Sequence, residues 1–351
     1  MSLQHLKDIT QNFSDERILG RGGFGVVYKG IKKGTLNEEI VAVKKLVQPT
    51  SISSNQFENE VNFLMKLKHP NIVRLLGYCY EMQNVRTLHE GKFIFVWSTE
   101  SLLCLECLPM GSLDRYISDA SSGLDWSQRL KIIEGISYGL QYLHEQSNYP
   151  IVHLDLKPAN ILLDENMLPK ITDFGLSRLF DQGQTILTAS ISGTLGYMPP
   201  EYLRGIITPM FDIFSLGVII MEVITGHREY PYDIRTSSEF VELEVQKWRH
   251  RMQQAPSYTS LEIDCKQIRR CIQIGLICVN PERTKRPAVN RIINMLHGLE
   301  SMNWYISNEL SSHVIQDGAI DQQRRMPQRP VYLPPWPLGL RSFVSLAGLR
   351  S

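Results

Sequence analysis

The chain has 351 residues, with 37 lysines and arginines against 36 aspartates and glutamates, so its formal net charge is +1. This balance offers no basic field for nucleic acid, and we expect none among its partners. A hydrophobic content of 43% supports a substantial core, and the length allows one two-lobed domain or two small ones.

The N-terminal residues and the apolar segments argue against membrane insertion. Residues 1–10 lack the basic and apolar regions of a signal peptide, and Ser2 stands where N-myristoylation requires glycine. The longest apolar run, residues 213–225, contains Glu222 and is too short to span a bilayer. We therefore expect no transmembrane segment in this chain and a cytoplasmic location, in the cytosol or at the cytoplasmic face of the plasma membrane.

A glycine-rich stretch follows the polar residues 1–19. Residues 20–27 read GRGGFGVV, and four glycines in the first six positions let a backbone approach phosphates without a side-chain clash. A dinucleotide-binding turn is the rival interpretation, but it requires a helix directly after the glycines. Residues 26–30 (VVYKG) are β-branched and aromatic, which predicts a strand. The pattern favours a glycine-rich hairpin over a nucleotide.

Residues 40–44 and 55–68 predict a strand and a helix that share an ion pair. Alternation along the strand places Ala42 and Lys44 on one face. The apolar face of the helix comprises Phe57, Val61, Leu64 and Met65. Glu60 falls on the same face, where a carboxylate is costly unless it is paired. Lys44 is the natural partner.

Two more strands are predicted at residues 71–79 and 102–108, separated by an unusually long segment. Residues 80–101 contain an apolar run of their own and are interpreted as an extended hairpin. Cys104 and Cys107 form a C-x-x-C in the second strand, but they would face opposite ways and no second Cys/His pair is nearby in the sequence, so a zinc site is not favoured. Most of the six cysteines lie in apolar runs, which indicates buried, reduced thiols.

The rest of the chain carries mostly helical patterns. Ser112 is predicted to cap a helix over residues 113–118. Further helices are predicted at residues 126–145, 210–226, 267–280 and 289–299. Residues 176–203 are rich in Gly, Ser and Thr, which predicts a long mobile loop.

The polar residues with the clearest chemical meaning lie in residues 151–175, which read IVHLDLKPANILLDENMLPKITDFG. Transfer of a γ-phosphoryl group requires a carboxylate to orient a hydroxyl, a cation for developing negative charge, and oxygen ligands for magnesium. Two short strands joined by a turn would hold such groups at the ends of apolar runs. The groups are Asp155, Lys157, Asn160 and Asp173.

The order Asp-x-Lys-x-x-Asn, followed by Asp-Phe-Gly, resembles the catalytic loop and metal-binding turn of eukaryotic protein kinases. The resemblance covers residues 13 to 300. Segments similar to the plant receptor-like kinase group, and to the cytoplasmic domain of its cysteine-rich members, are NFS (12–14), VYKG (27–30), HPNIVRLLGY (69–78) and GTLGY (193–197). The resemblance implies an α+β, bilobal protein kinase fold, with a small antiparallel β-sheet lobe carrying one main helix and a larger, mostly helical lobe.

The resemblance also implies a division of the chain. We expect a lead-in at residues 1–12, a small lobe at 13–108 with the insert 80–101, and a large lobe at 109–300. The tail, residues 301–351, is proline-rich with little periodicity, and we expect it to be disordered.

Individual roles follow from the resemblance. Asp155 would accept the proton of the substrate hydroxyl, and Lys157 would neutralise the transferring phosphoryl group. Lys44, fixed by Glu60, would bind the α- and β-phosphates. The residues around the nucleotide would be Leu19, Gly20, Gly22, Gly23, Gly25, Val27, Ala42, Lys44, Leu105, Glu106, Cys107, Leu162 and Asp173. Magnesium would be held by Asn160 and Asp173.

The implied cofactors are ATP and Mg²⁺, and the implied partners are proteins with serine or threonine hydroxyls and upstream receptor kinases. Lys157 and Thr194 resemble the serine/threonine-specific branch of the family. Glu201 with Arg286, and also Asp212, would be structural anchors.

One departure concerns the catalytic loop, where His153-Leu154-Asp155 replaces the usual His-Arg-Asp. The arginine normally binds a phosphorylated activation loop, and leucine has no charge to do so. We therefore expect that loop phosphorylation is not the main on-switch. The alternative reading is a pseudokinase scaffold that binds ATP or partners without efficient catalysis.

Overall fold

The computed structural model describes residues 1–23, 25–33, 38–46, 51–117, 124–146, 150–180, 185–189, 191–228, 237–254 and 260–305. Met1–Glu300 form one compact unit. Most of the tail that the sequence predicts to be disordered, residues 306–351, lies outside the described residues.

The first third of the chain builds an antiparallel sheet with two helices. Its elements are α1 (Leu3–Ile9), β1 (Ile18–Gly22), β2 (Gly25–Lys33), β3 (Glu38–Leu46), α2 (Ser51–Leu64), β4 (Leu75–His89) and β5 (Lys92–Glu106). The strand order is β1-β2-β3-β5-β4, and each neighbouring pair is antiparallel. The predicted α+β class, with a small antiparallel sheet followed by helices, is confirmed.

Helix α1 was not anticipated, because residues 1–12 were expected to be only a lead-in. Ser2 caps the helix by accepting a hydrogen bond from the His5 N–H. Its apolar residues pack under the sheet in one buried cluster, formed by Leu3, Leu6, Ile9, Val41, Val43, Cys79, Leu102 and Cys104. The spacing of three between successive apolar residues of α1 was the available signal.

The end of one predicted helix and the start of one predicted strand differ from the structure. Helix α2 ends at Leu64, so Met65 lies beyond it with 59% of its surface exposed. Strand β4 begins at Leu75 rather than at Asn71. Asn71 instead bonds to the segment after the catalytic loop, because its side-chain amide donates to the Pro169 carbonyl over 2.9 Å.

The predicted hairpin over residues 80–101 corresponds to the outer parts of β4 and β5. The two strands pair without interruption from Cys79 with Leu102 to His89 with Lys92. The inner part of β5 also pairs with β3, from Leu102 to Glu106.

The remainder of the compact unit is mostly helical. Its elements are β6 (Gly111–Ser112), α3 (Asp114–Ile117), α4 (Trp126–Gln141), β7 (Ile151–Val152), β8 (Ile161–Leu163), β9 (Pro169–Ile171), β10 (Arg178–Leu179), β11 (Ile186–Leu187), β12 (Ile206–Ile207), α5 (Met210–Thr225), α6 (Ser237–Gln253), α7 (Leu261–Cys278) and α8 (Val289–Leu296). Ser112 lies in β6, paired with Leu162, so it does not cap a helix. Helix α6 was not predicted from the sequence.

The core of this helical part is α5, which is buried along nearly its whole length. The apolar run at residues 213–225 is therefore a core helix. Among the described helices, none combines the length and apolar character needed to cross a bilayer.

All six cysteines are free thiols. Cys271 and Cys278 are buried in α7, as is Cys104 in β5. Within the described ranges, no group of three or more His, Cys, Asp or Glu side chains is arranged to hold a metal.

Candidate active site

A buried lysine with two carboxylate partners joins the sheet to the segment that follows β9. Lys44 in β3 donates from Nζ to both carboxylate oxygens of Glu60 in α2, over 3.0 and 2.8 Å. The same ammonium contacts Asp173 Oδ1 at 2.9 Å. The predicted Lys44–Glu60 ion pair is therefore present. Asp173, the aspartate of Asp-Phe-Gly, is a second partner of the same lysine.

Burial and the shared charge shift all three ionisation equilibria. Burial opposes the charge on Lys44, but Asp173 and Glu60 outweigh it and hold the lysine pKa above its usual range. Burial alone would raise the pKa of Asp173, but Lys44 outweighs it and keeps that pKa below its ordinary value. For Glu60, burial prevails over Lys44, and the negative charge of Asp173 adds to it, so the pKa rises to about 7.

The second half of the site is the loop between β7 and β8. Lys157 donates from Nζ to Asp155 Oδ2 over 2.8 Å and to the Thr194 hydroxyl over 2.7 Å. The Thr194 hydroxyl donates to Asp155 Oδ1 over 2.8 Å. Asn160 donates from Nδ2 to the Asp155 carbonyl and to Oδ2, over 2.8 and 3.0 Å. The Asp155 carboxylate is thus held at both oxygens.

Asp212, in α5, holds the backbone of this loop through hydrogen bonds to its carboxylate. Its carboxylate accepts the His153 N–H over 2.7 Å and the Leu154 N–H over 3.0 Å. Leu154 has a φ of 67°, a left-handed conformation that leucine adopts only when other contacts impose it. The neighbouring His144 ring also contacts Asp212, at 3.0 Å. Asp212 therefore fixes the turn that presents Asp155.

The turn around Asp173 is also left-handed, with a φ of 70° and a ψ of 70°. Thr172 donates its N–H to the Asn160 carbonyl over 3.0 Å, and its own carbonyl contacts His153 Nε2 at 2.9 Å. Phe174 is fully buried with its ring 5.0 Å from that of His153. These bonds tie Asp173 and Asn160 to one framework.

Thr194 was predicted only as a mark of specificity, but the structure brings it into direct contact with Asp155. Gly193 makes this possible: its φ is 122°, and a Cβ there would lie 3.1 Å from the Leu154 carbonyl oxygen. The only signal for this contact in the sequence was a hydroxyl in the GTLGY segment. The residues next to Thr194 do not indicate that its side chain lies close to Asp155.

The glycine-rich residues form the β1–β2 hairpin, where Gly22 pairs with Gly25. Gly25 has a φ of 150°, and a Cβ there would lie 2.2 Å from the Lys45 carbonyl oxygen, so only glycine fits. A Cβ at Gly20 or Gly22 would meet nothing within 4 Å. The backbone of β1 at these glycines is therefore open to an approaching group, whereas Gly25 in β2 is closely packed against β3. Leu19 is exposed, and Gly23 precedes the one residue of this turn that is not described.

The residues predicted to surround the adenine lie on neighbouring strands. Val27 is paired with Lys44, and Ala42 is paired with Leu105. All four residues therefore share one face of the sheet. Leu162 is half-buried in β8.

Three further residues predicted around the nucleotide, Leu105, Glu106 and Cys107, lie at the end of β5. Leu105 is buried, and Glu106 and Cys107 are half-buried. The Glu106 carboxylate is engaged elsewhere, since Oε1 accepts the Arg74 N–H over 2.8 Å and lies 3.1 Å from Lys170 Nζ. The Glu106 backbone N–H also donates to the Arg74 carbonyl, over 3.1 Å.

We use the name site cluster for the charged and polar residues that meet here: Lys44, Glu60, Asp155, Lys157 and Asp173, with Asn160 and Thr194.

A second ion pair joins Glu201 to Arg286 and is named the anchor pair. The two side chains form two parallel hydrogen bonds of 2.6 and 2.8 Å. Arg286 also donates to the Asn280 and Met210 carbonyls, over 2.7 and 3.0 Å.

The oxygen donors of the site cluster suit magnesium, which prefers carboxylate, amide and water oxygens. Asp173 supplies a carboxylate. Asn160 uses its NH₂ group on Asp155, which directs its amide oxygen away from that residue. Two protein ligands are sufficient for an ion that usually keeps several waters and binds substrate phosphates.

A two-part fold with a shared lysine, a loop carboxylate and a glycine-rich hairpin defines a protein kinase domain. Residues 13–297 match the protein kinase domain family model. The chain belongs to the protein kinase family.

Its relatives are plant receptor-like kinases, as the sequence motifs predicted. Cysteine-rich receptor-like protein kinase 29 of Arabidopsis thaliana is 41% identical over 83% of this chain and 42% of that protein. Receptor-like serine/threonine-protein kinase SD1-7 of the same plant is 39% identical over 84% of this chain and 34% of its own length. Cysteine-rich receptor-like protein kinase 44, also from Arabidopsis thaliana, is 40% identical over 82% of this chain and 74% of its own length. The chain thus spans less than half of the first two relatives.

Proposed function

We propose that this chain is a serine/threonine protein kinase, which transfers the γ-phosphoryl group of ATP to protein hydroxyls. The observation that carries the proposal is the contact geometry of the site cluster. Asp155, Lys157 and Thr194 form one connected triangle, and Lys44 links Glu60 to Asp173. A pseudokinase would not need all of these groups to be in contact.

The chemistry follows from what each side chain can hold or accept. Asp155 orients the substrate hydroxyl and accepts its proton as the oxygen bonds to the γ-phosphorus. Lys157, 2.8 Å from Asp155, lies where the transferring group would pass, and its charge offsets the negative charge on the equatorial oxygens. The bond from the γ-phosphorus to the bridging oxygen breaks, and ADP leaves.

Lys44 and the glycine-rich hairpin position the nucleotide. The Lys44 ammonium, kept charged by its two carboxylates, binds the α- and β-phosphates. The open backbone at Gly20 and Gly22 covers them, and Val27, Ala42 and Leu162 enclose the adenine. Leu105, Glu106 and Cys107 lie at the edge of the adenine.

Asn160 and Asp173 would hold magnesium. When bound, the ion neutralises phosphate charge and orients the γ-phosphoryl group. Asp155 contributes to this arrangement indirectly, because it fixes the Asn160 amide through two hydrogen bonds.

The hydroxyl specificity is inferred from the pairing of Lys157 with Thr194. This pairing places a small side chain beside Asp155, which leaves a short path to a serine or threonine hydroxyl. Receptor-like serine/threonine-protein kinase SD1-7 carries the serine/threonine designation in its name. We extend the proposal to receptor-like kinase signalling, with upstream receptor kinases as partners and a site of action at the cytoplasmic face of the plasma membrane.

Activation is proposed not to depend mainly on loop phosphorylation. Leu154, which replaces the usual arginine, is buried in an apolar cluster with Val152, Leu176, Phe180, Tyr202, Ile207 and Phe211. This cluster packs the residues after the Asp-Phe-Gly turn, Leu176 and Phe180, against Leu154 of the catalytic loop. Apolar packing of this kind does not require a phosphate.

The test is incubation with Mg²⁺ and γ-labelled ATP, followed by identification of the labelled amino acid. Wild type is expected to label serine or threonine, and the variants Asp155→Asn and Lys44→Met are expected to lose most of the label. Equal incorporation in all three proteins would reject intrinsic catalysis and leave the scaffold interpretation.

A further inference from the structure

One face of the β4–β5 hairpin carries a continuous row of large side chains. Side chains alternate along a strand, and directly opposite residues of an antiparallel pair share a face, so one set of cross-strand pairs defines this surface. The pairs are Tyr80 with Ser101, Met82 with Thr99, Asn84 with Trp97, Arg86 with Phe95, and Leu88 with Phe93. We call this surface the aromatic face.

The large apolar side chains of the aromatic face are exposed. On β5, Phe93, Phe95 and Trp97 have 62%, 70% and 72% of their surface exposed. On β4, the exposed fractions of Tyr80, Met82 and Leu88 are 51%, 67% and 60%. The apolar residues of the opposite face are smaller and less exposed, since Val85, Ile94 and Val96 do not exceed 40%.

The exposed area is that of a protein interface. A buried aromatic side chain covers about 150–250 Å², so the four aromatic residues of this face offer about 500 Å² at their exposed fractions. Met82, Leu88 and the Arg86 stem bring the total towards the roughly 800 Å² that each partner contributes to a stable complex. The largest apolar patch of an ordinary monomer is about 300–600 Å².

The composition of the aromatic face is also that of an interface core. Tyr, Trp, Phe, Met and Arg are the residues enriched there, and Lys, Glu and Asp are depleted. Of the ten residues in the five pairs, only Arg86 is charged. Its guanidinium lies 4.0 Å from the centre of the Phe93 ring, so an aromatic partner already accompanies the charge.

The aromatic face is held in place before any partner arrives. The two strands pair without interruption from Cys79 with Leu102 to His89 with Lys92. At the inner end, the Tyr80 ring stacks on that of Phe57 in α2, with 5.6 Å between the ring centres. A surface that is ordered in the free chain loses little conformational entropy on binding.

We propose that the aromatic face is a dimer interface, on which the same face of a second copy of this chain packs. Two sheets that pack face to face keep their strands within about 30° of each other, and their side chains interdigitate. A two-fold arrangement of this kind is closed, because each copy offers the same surface. Homodimer interfaces are more apolar than those between transient partners, which fits a face with one charged residue.

The charge of the hairpin argues against a lipid surface as the occupant. Anionic leaflets attract clusters of basic residues. Residues 80–101 carry three carboxylates, Glu81, Glu90 and Glu100, against two cations, Arg86 and Lys92. The hairpin therefore has no excess positive charge to bring it to such a leaflet.

The first experiment measures the mass of the full chain by size exclusion with light scattering, from about 1 to about 100 μM. Wild type is expected to dimerise. Phe95→Arg places a charge at the centre of the apolar contact and is expected to weaken dimerisation by at least about 10-fold. The matched control is Val96→Arg, which adds the same charge one residue along β5 but on the opposite face, and it should dimerise as wild type does.

A second experiment follows the aromatic face itself. Acrylamide quenching of tryptophan fluorescence is measured in wild type and in Trp97→Phe, and the difference isolates the contribution of Trp97. This quenching is expected to fall several-fold between the dilute and the concentrated wild-type protein, because Trp97 becomes buried in the dimer. Circular dichroism of each variant checks that the chain is folded.

Four outcomes overturn the proposal. The first is a wild-type chain that stays monomeric over the whole concentration range. The second is equal disruption by Phe95→Arg and Val96→Arg, and the third is a dimer in which Trp97 is quenched as strongly as in the monomer. The fourth is a monomer that sediments with vesicles of phosphatidylcholine and phosphatidylserine, because the aromatic face would then serve a membrane surface.

Discussion

The site cluster and the anchor pair are both buried and charged, but they differ in charge balance. The site cluster has three carboxylates (Glu60, Asp155, Asp173) against two ammonium groups. The anchor pair matches one carboxylate with one guanidinium, and the surrounding carbonyls accept the remaining hydrogen bonds. An excess negative charge suits a place that receives a metal–nucleotide complex, whereas a balanced pair suits a structural anchor. Substitutions in the first should therefore change activity, and in the second stability.

The largest expected effect is on the rate of transfer. Asp155→Asn is expected to lower kcat by about 10²- to 10⁴-fold, because the amide cannot accept the hydroxyl proton. The melting temperature should change little, since the Asn side chain still offers an oxygen to Thr194 or Lys157. The measurement is steady-state phosphorylation of a protein substrate beside a thermal melt.

Asp164→Asn is the matched control for this change. Asp164 accepts the Asn166 and Leu168 N–H groups in the β8–β9 turn, and it is not part of the site cluster. Its kcat should remain within a few-fold of wild type. A comparable loss of kcat in both variants would contradict the assignment of Asp155.

The anchor pair should show the opposite behaviour. Arg286→Met leaves Glu201 without its guanidinium, and we expect the free energy of unfolding to fall by about 3–5 kcal/mol. Urea denaturation measures this change. Arg269→Met, which breaks the exposed contact with Glu242, should cost no more than about 1 kcal/mol. Equal losses in the free energy of unfolding for the two variants would contradict the role of Glu201 and Arg286 as a structural anchor.

Thr194 sharpens the boundary of the site cluster. Thr194→Ala removes a hydroxyl that bonds to the charged groups of Asp155 and Lys157, and we expect a loss of about 1.5–3 kcal/mol in transition-state stabilisation, measured as kcat/KM. Ser192→Ala, two residues earlier, should have little effect, because the contacts of Ser192 with Tyr202 are made by its backbone.

Ser192→Ala can also be used to test whether activation requires loop phosphorylation, which the replacement of the usual arginine by Leu154 argues against. If Ser192→Ala, combined with Thr185→Ala and Thr188→Ala, abolished activity in a folded protein, loop phosphorylation would be required after all. Ser190 lies outside the described residues.

The smallest expected effect is on the pH dependence of stability. Because the pKa of Glu60 rises from its ordinary 4.5 to about 7, the folded protein retains this proton in a pH range where the unfolded chain has released it. The contribution of Glu60 to stability should therefore fall as the pH rises from about 4.5 to about 7. Urea denaturation at several pH values, without Mg²⁺ or nucleotide, should show this fall in wild type. A similar fall in Glu60→Gln would assign it to another group.

The sequence predicted the parts of the molecule that depend on local pattern or on the family motifs. The Lys44–Glu60 contact followed from a carboxylate on an apolar helix face, and the core helix α5 followed from its apolar run. Residues whose surroundings come from distant segments were harder. Ser112 has the composition of a helix cap but pairs with Leu162 in β6, and Thr194 reaches Asp155 across 39 positions of sequence.

Helix α1 shows the same limit on a larger scale. Its seven residues are too few to form a stable helix alone, so propensity gives little indication of it. Packing of Leu3, Leu6 and Ile9 beneath the sheet stabilises it, and the partners Val41 and Leu102 lie far along the chain. The bounds of α2 and β4 were wrong for a related reason, because packing against other segments determines where each element stops.

The most direct test of the charge difference is the affinity for a magnesium complex of a non-hydrolysable ATP analogue, measured by calorimetric titration. Asp173→Asn should weaken binding by at least about 10-fold, because it removes the carboxylate proposed to hold the metal. Glu201→Gln, in the anchor pair, should bind as wild type does wherever it remains folded. Equal affinity of wild type and Asp173→Asn would contradict the account.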